Sequence, residues 1–135
     1  MRFAVSTAAL FLASSSAMAD CRRPAAIGLA SGARESTVEA DAPSSTIDCY
    51  QFAGQAGQQV VIEISGGKGD AVFAVYGPGW EASCDAADDC DISGDLLGDE
   101  QTTKWSDTAP VTGAYLIVVD NSRSDTDYRL NVEFH

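Results

Sequence analysis

Hydrophobic and polar residues alternate strictly from Gln59 to Ser65, with Val60, Ile62 and Ile64 on one side and Val61, Glu63 and Ser65 on the other. A period of two with β-branched residues is the signature of a strand with one buried face. Upstream, Thr46 to Ala53 puts Tyr50 and Phe52 on one side, and downstream Ala71 to Tyr76 is a short apolar run. The links Gly54-Gln55-Ala56-Gly57 and Gly66-Gly67-Lys68-Gly69-Asp70 are small, polar and glycine-rich, so each predicts a chain reversal. Gly77-Pro78-Gly79 ends the third strand, because proline cannot donate to a ladder. Thr46 to Trp80 thus reads as three consecutive strands on which the rest of the chain packs.

The pattern continues on both sides of this stretch. Ser36 to Ala40 predicts a first strand, and Ala42-Pro43-Ser44-Ser45 a turn into the core stretch. Thr102 to Ser106 predicts a strand with Trp105 inward. Ala114 to Asp120 is almost wholly apolar, as a central strand covered on both faces must be. Asp120 to Asp127 is a polar loop, and Tyr128 to Phe134 alternates with Tyr128, Leu130, Val132 and Phe134 on one face. About seven or eight short strands joined by turns predict an all-β fold, an antiparallel β-sandwich of jelly-roll-like form.

The N-terminus changes the picture of the chain's destination. Met1 to Ala19 carries one base, Arg2, then a small-residue apolar run ending in Ala17-Met18-Ala19, the small-x-small pattern of a cleaved secretory signal peptide. The run is too short to span a membrane. Residues 20–135 then form one exported domain, periplasmic or secreted. Asp20-Cys21 lacks the leucine-like and small residues of a lipoprotein signal.

Four cysteines in a small exported domain predict two disulfides, with three pairings open on count alone. Cys84 and Cys90 bracket a short loop, so their pairing is the simplest closure. Cys21 with Cys49 would then staple the N-terminal tail to the first core strand. A zinc site has little to build on, because the only histidine is His135 and no Cys-x-x-Cys occurs.

Removal of residues 1–19 leaves seven bases against 20 acids, a net charge of −13. That argues against nucleic acid and anionic membranes as partners, and favours attraction to a basic protein. Glu81 to Glu100 holds eight acids and no base, and reads as an irregular, solvated loop pinned by Cys84 and Cys90. Its alternative is a calcium site on Asp88, Asp89, Asp91 and Asp95, although the spacing is not that of an EF-hand. Catalysis finds little to work with. No histidine lies inside the domain, all cysteines are used in disulfides, and nothing apolar surrounds the paired carboxylates to raise a pKa.

The Tyr-x-Phe strand end, the Ala-Gly-Gln turn, the Val-x-Ile-x-Ile strand and the closing Tyr76-Gly77-Pro78-Gly79 resemble the bacterial pre-peptidase C-terminal domain. Pro110-Val111-Thr112-Gly113-Ala114-Tyr115, followed by a Tyr-x-Leu-x-Val strand at Tyr128 to Val132, extends the likeness. In pattern the chain is most similar to the periplasmic inhibitors of goose-type lysozyme. That resemblance implies a non-catalytic inhibitor whose loop blocks the enzyme's cleft. It sets Arg123 as the contact, with Asn121, Ser122 and Tyr115 beside it, against a basic lysozyme. The broader likeness implies a different role, a stand-alone accessory module binding calcium or a polymer. A structural or stress-related envelope protein is the third expectation.

Overall fold

A computed structural model describes residues 21–29, 33–40, 47–66, 71–86, 89–120 and 127–135. Its elements are strands: β1 (Ala25–Ala26), β2 (Glu35–Ala40), β3 (Ile47–Gly54), β4 (Gln59–Gly66), β5 (Val72–Tyr76), β6 (Glu81–Ala86), β7 (Asp89–Ser93), β8 (Leu96–Thr102), β9 (Lys104–Thr108), β10 (Gly113–Asp120) and β11 (Tyr128–Phe134). The expected all-β sandwich is present. One sheet runs β1-β3-β10-β5-β8, the other β2-β11-β4-β9, and β6-β7 form a separate two-stranded ribbon. All pairings are antiparallel except the two-residue β1, which runs parallel to β3.

The alternating positions meet between the sheets. Val60, Ile62 and Ile64 of β4 and Leu130, Val132 and Phe134 of β11 face Phe52, Val75 and Ile117 across one core. Strand β10 occupies the middle of the larger sheet, between β3 and β5, as its two apolar faces require. Tyr115, Ile117 and Val119 point into the sandwich. Leu116, on the opposite face, is also fully buried, beneath a second cluster with Cys21 and Cys49. Tyr76, Trp80, Ala82, Ile92 and both Cys84 and Cys90 pack against that cluster, so the ribbon and the N-terminal segment cover the outer face of the larger sheet.

Three features add to or differ from what the sequence pattern predicts. The strands from Thr46 to Trp80 do not pair with one another. β3 and β5 both flank β10, while β4 lies in the other sheet, so both reversals carry the chain across the sandwich. Second, Glu81 to Glu100 is not irregular. It forms the β6-β7 ribbon and most of β8, with Ala82 opposite Ile92 and Cys84 opposite Cys90. The outward positions Glu81, Ser83, Asp85 and Asp91 are exposed, so the ribbon is amphipathic, but its apolar side is only two residues per strand. Third, Thr102 to Ser106 is broken at Thr103. The Thr102 hydroxyl donates to the Lys104 carbonyl at 2.8 Å and accepts from the Lys104 amide at 3.3 Å, turning the chain from β8 into β9. Trp105 points inward as expected, under Gly98. These changes raise the strand count above the expected seven or eight.

The turn Pro110 to Gly113 is held by Tyr115. Its hydroxyl donates to the Val111 carbonyl and accepts from the Val111 amide at 3.2 Å, which ties the strand to the turn four residues earlier. Its ring stacks on Phe52, with centroids 5.1 Å apart. A side chain at Gly54 would strike the Tyr115 ring at 2.7 Å, and one at Gly113 would strike Pro78 at 2.8 Å. The resemblance motif around Gly113 and the Gly77-Pro78-Gly79 motif are therefore two sides of one contact. Tyr115→Phe is expected to keep the stack but lose the tie, lowering stability by about 1–2 kcal/mol with an unchanged urea m-value. Gly54→Ala is expected to cost more, because a rigid buried ring must move.

Candidate functional site

Four connections between the sheets start and finish at strand ends on one end of the sandwich. The pairings of Asp120 with Ile47 and Val72, and of Tyr128 with Ala40 and Gly66, put these strand ends together. Segments 41–46, 67–70 and 121–126 therefore leave and re-enter the described strands at the same end. The Thr103 corner joins them, its carbonyl accepting from the Ile64 amide at 3.0 Å. Asn121, Ser122 and Arg123 lie outside the described residues, as does Asp88. Tyr115 is corrected as a contact residue. Its side chain is fully buried at the other end of β10, where it organises a turn.

Beneath this end a hydrogen-bonded chain spans the two sheets. The Tyr128 hydroxyl, on the first residue of β11, donates to Asp48 Oδ2 at 2.7 Å. The Tyr50 and Tyr128 oxygens are 2.7 Å apart. An ionised carboxylate only accepts, so Tyr128 spends its proton on Asp48 and Tyr50 donates to Tyr128. Asp48 and Tyr50 belong to β3 and Tyr128 to β11, so the chain fastens the stems of segments 41–46 and 121–126 to each other. Burial pushes the Asp48 carboxyl up, and the Tyr128 hydrogen bond opposes this in part. Burial pushes the Tyr50 phenol up to about 12, and it pushes Tyr128 far above the usual phenol range, with the nearby Tyr50 and Asp48 adding to the shift. Both phenols therefore stay neutral donors at any physiological pH.

Two further contacts shape these stems. Arg129 pairs across the strands with Glu39, through Nη2 at 2.7 Å and Nε at 3.0 Å to one carboxylate oxygen. Gly66 has φ +93°, and a side chain there would meet the Asp127 carbonyl at 2.6 Å, so only glycine lets β4 end beside that stem. The Asp48–Tyr128–Tyr50 chain escaped the sequence reading because its members are 78 and 80 residues apart and both tyrosines sit in core-like alternation.

The cysteines pair as expected, Cys21 with Cys49 and Cys84 with Cys90. Among the described residues no three His, Cys, Asp or Glu side chains are grouped to hold a metal ion. Asp91 points outward from the ribbon, and Asp95 is exposed beyond its end; the side chain of Asp89 lies outside the described set.

Asp48 makes stability depend on pH. Its folded pKa is raised, so the folded state holds the proton more tightly than the unfolded chain. The favourable contribution is complete below the unfolded value of about 4 and is lost as pH rises through the folded value. Asp48→Asn keeps an acceptor for Tyr128 and removes that loss. Urea unfolding is expected to find the variant at least as stable as the parent at pH 7, with its advantage shrinking towards pH 4. Tyr128→Phe leaves Asp48 and Tyr50 without their shared partner and is expected to cost about 1–3 kcal/mol.

Comparison with known proteins agrees with this architecture. The model of the bacterial pre-peptidase C-terminal domain matches residues 46–121, more than half of the chain. No curated protein matches the sequence. The periplasmic inhibitor of g-type lysozyme from Aeromonas hydrophila has a similar structure, with TM-score 0.63 and 22% identity over 83% of this chain and 96% of that one. The Salmonella Typhimurium inhibitor is similar at TM-score 0.54 and 21% identity, over 83% of this chain and 97% of that one. A mutant of the Escherichia coli inhibitor is similar at TM-score 0.53 and 20% identity, with the same coverage. At these identities the likeness is one of fold. The matched segment runs from the start of β3 through β10, and the chain belongs to the bacterial pre-peptidase C-terminal domain family.

Proposed function

We propose that this protein is exported on a signal peptide, residues 1–19, and that residues 20–135 act in the periplasm as a non-catalytic inhibitor of a lysozyme. Segment 121–126 enters the enzyme's cleft. Arg123 pairs there with a catalytic carboxylate, and Asn121 and Ser122 supply polar contacts. The observation that carries this reading is the sandwich shared with three inhibitors of g-type lysozyme over 83% of the chain. The fastened stems support it, since a rigid base lowers the ordering cost of binding. The net charge of −13 supports a basic target. The family match favours a second reading, an accessory module binding calcium or a polymer, which calorimetric titration with calcium would detect.

Purified residues 20–135 are expected to inhibit a goose-type lysozyme in a cell-wall lysis assay. Arg123→Ala is expected to weaken inhibition by about 2–4 kcal/mol, a hot-spot loss, with the melting temperature nearly unchanged. Lysine at that position recovers only part, because the planar fork is lost. Raised salt slows association with a basic enzyme. Equal inhibition by Arg123→Ala removes the arginine from the mechanism, and failure of the parent against every lysozyme tried removes the inhibitor reading.

A further inference from the structure

We infer that the Cys84–Cys90 bond is a redox-active site, open to thiol–disulfide exchange with a dithiol reductant, and that its reduction releases the β6-β7 ribbon from the outer face of the larger sheet. The ribbon lies on the outer face of the larger sheet, and this inference does not depend on the inhibitor reading. The two disulfides sit in one apolar cluster but differ in access. Cys21 and Cys49 are 2% and 0% exposed, whereas Cys84 and Cys90 are both only half-buried. Exchange requires a thiolate to reach a sulfur, so the outer bond is attacked first.

The two bonds also differ in what they hold. Cys21–Cys49 joins residues 28 apart and anchors the N-terminal segment to β3, inside the five-stranded sheet. Cys84–Cys90 joins residues 6 apart, directly opposite one another in the ribbon. A short closed loop constrains the unfolded chain less, so losing it leaves the sandwich folded. Among the described residues the ribbon is a separate two-stranded sheet that joins neither of the larger ones. A two-stranded ribbon is marginal in water by itself. Its cross-strand bond closes it, and Ala82, Ile92 and the two cysteines pack it on the Leu116 cluster. Lifting it uncovers Leu116, half-buried Val118 and the inner disulfide, so the two bonds are reduced in order.

The chemistry balances with a dithiol. One thiolate attacks a sulfur of the Cys84–Cys90 pair, forms a mixed disulfide and expels the other cysteine as a thiolate, which takes a proton. The second reductant thiol displaces the remaining cysteine, and the reagent leaves as its own disulfide. The protein gains two electrons and two protons.

The test is a reduction time course on the folded protein with dithiothreitol, quenched with iodoacetamide and mapped by mass spectrometry, with a dye for exposed apolar surface read in parallel. Alkylation of Cys84 and Cys90 is expected about tenfold or more ahead of Cys21 and Cys49, with dye binding rising in the first phase. In a Cys84→Ser, Cys90→Ser double variant, Cys21–Cys49 is expected to be reduced about tenfold faster than in the parent, because its cover has opened. Simultaneous loss of both bonds, earlier loss of the inner one, or a first phase without dye binding overturns the inference. So does a double variant whose inner bond is as slow as the parent's.

Discussion

The two-faced burial of β10 is the constraint on which the rest of this structure depends. Tyr115, Ile117 and Val119 face one way and Leu116 the other, and all are fully buried. Each buried aliphatic side chain contributes about 1.5–3 kcal/mol relative to exposure, so neither face can be left to water. The inner face is met by β4 and β11 of the second sheet. Among the described residues the outer face meets no third sheet of comparable size. It is covered by the β6-β7 ribbon and by the segment that Cys21 ties to Cys49. Each disulfide thus holds a piece of chain too small to stay in place by itself.

That arrangement divides the molecule into two working ends. At one, Tyr115, Gly54, Gly113 and Pro78 lock the turns by close contact. At the other, where four connections start and finish, a polar chain, Tyr50 to Tyr128 to Asp48, fastens the stems of two of them, 41–46 and 121–126, across the sheets. A polar chain costs desolvation at Asp48, yet it fixes the relation of two stems in a way that apolar packing does not. Stems fastened in this way support the proposal that this end meets a partner with little rearrangement.

The core strands were legible because their alternation is undiluted. Val60, Ile62 and Ile64, and the set from Tyr128 to Phe134, each define a face without outside information. Both disulfides were legible from loop length and count. The β6-β7 ribbon was not, because Ala82, Cys84, Cys90 and Ile92 are two apolar positions per strand among acids, and composition outweighs so short a pattern. The sheet order was hidden too, since nothing local says that β3 and β5 meet β10 before they meet β4. Tyr115 was misplaced for a related reason. Its position in a family motif marks it as important, and only the packing shows that its importance is to the turn.

The most direct test of the account is hydrogen exchange on residues 20–135 alone and mixed with a goose-type lysozyme. The account predicts a complex in which added protection falls on segments 41–46, 67–70 and 121–126 and their stems at Ile47, Asp120 and Tyr128, and spares the β6-β7 ribbon. Protection centred on the ribbon, or no complex with the enzyme, would contradict it.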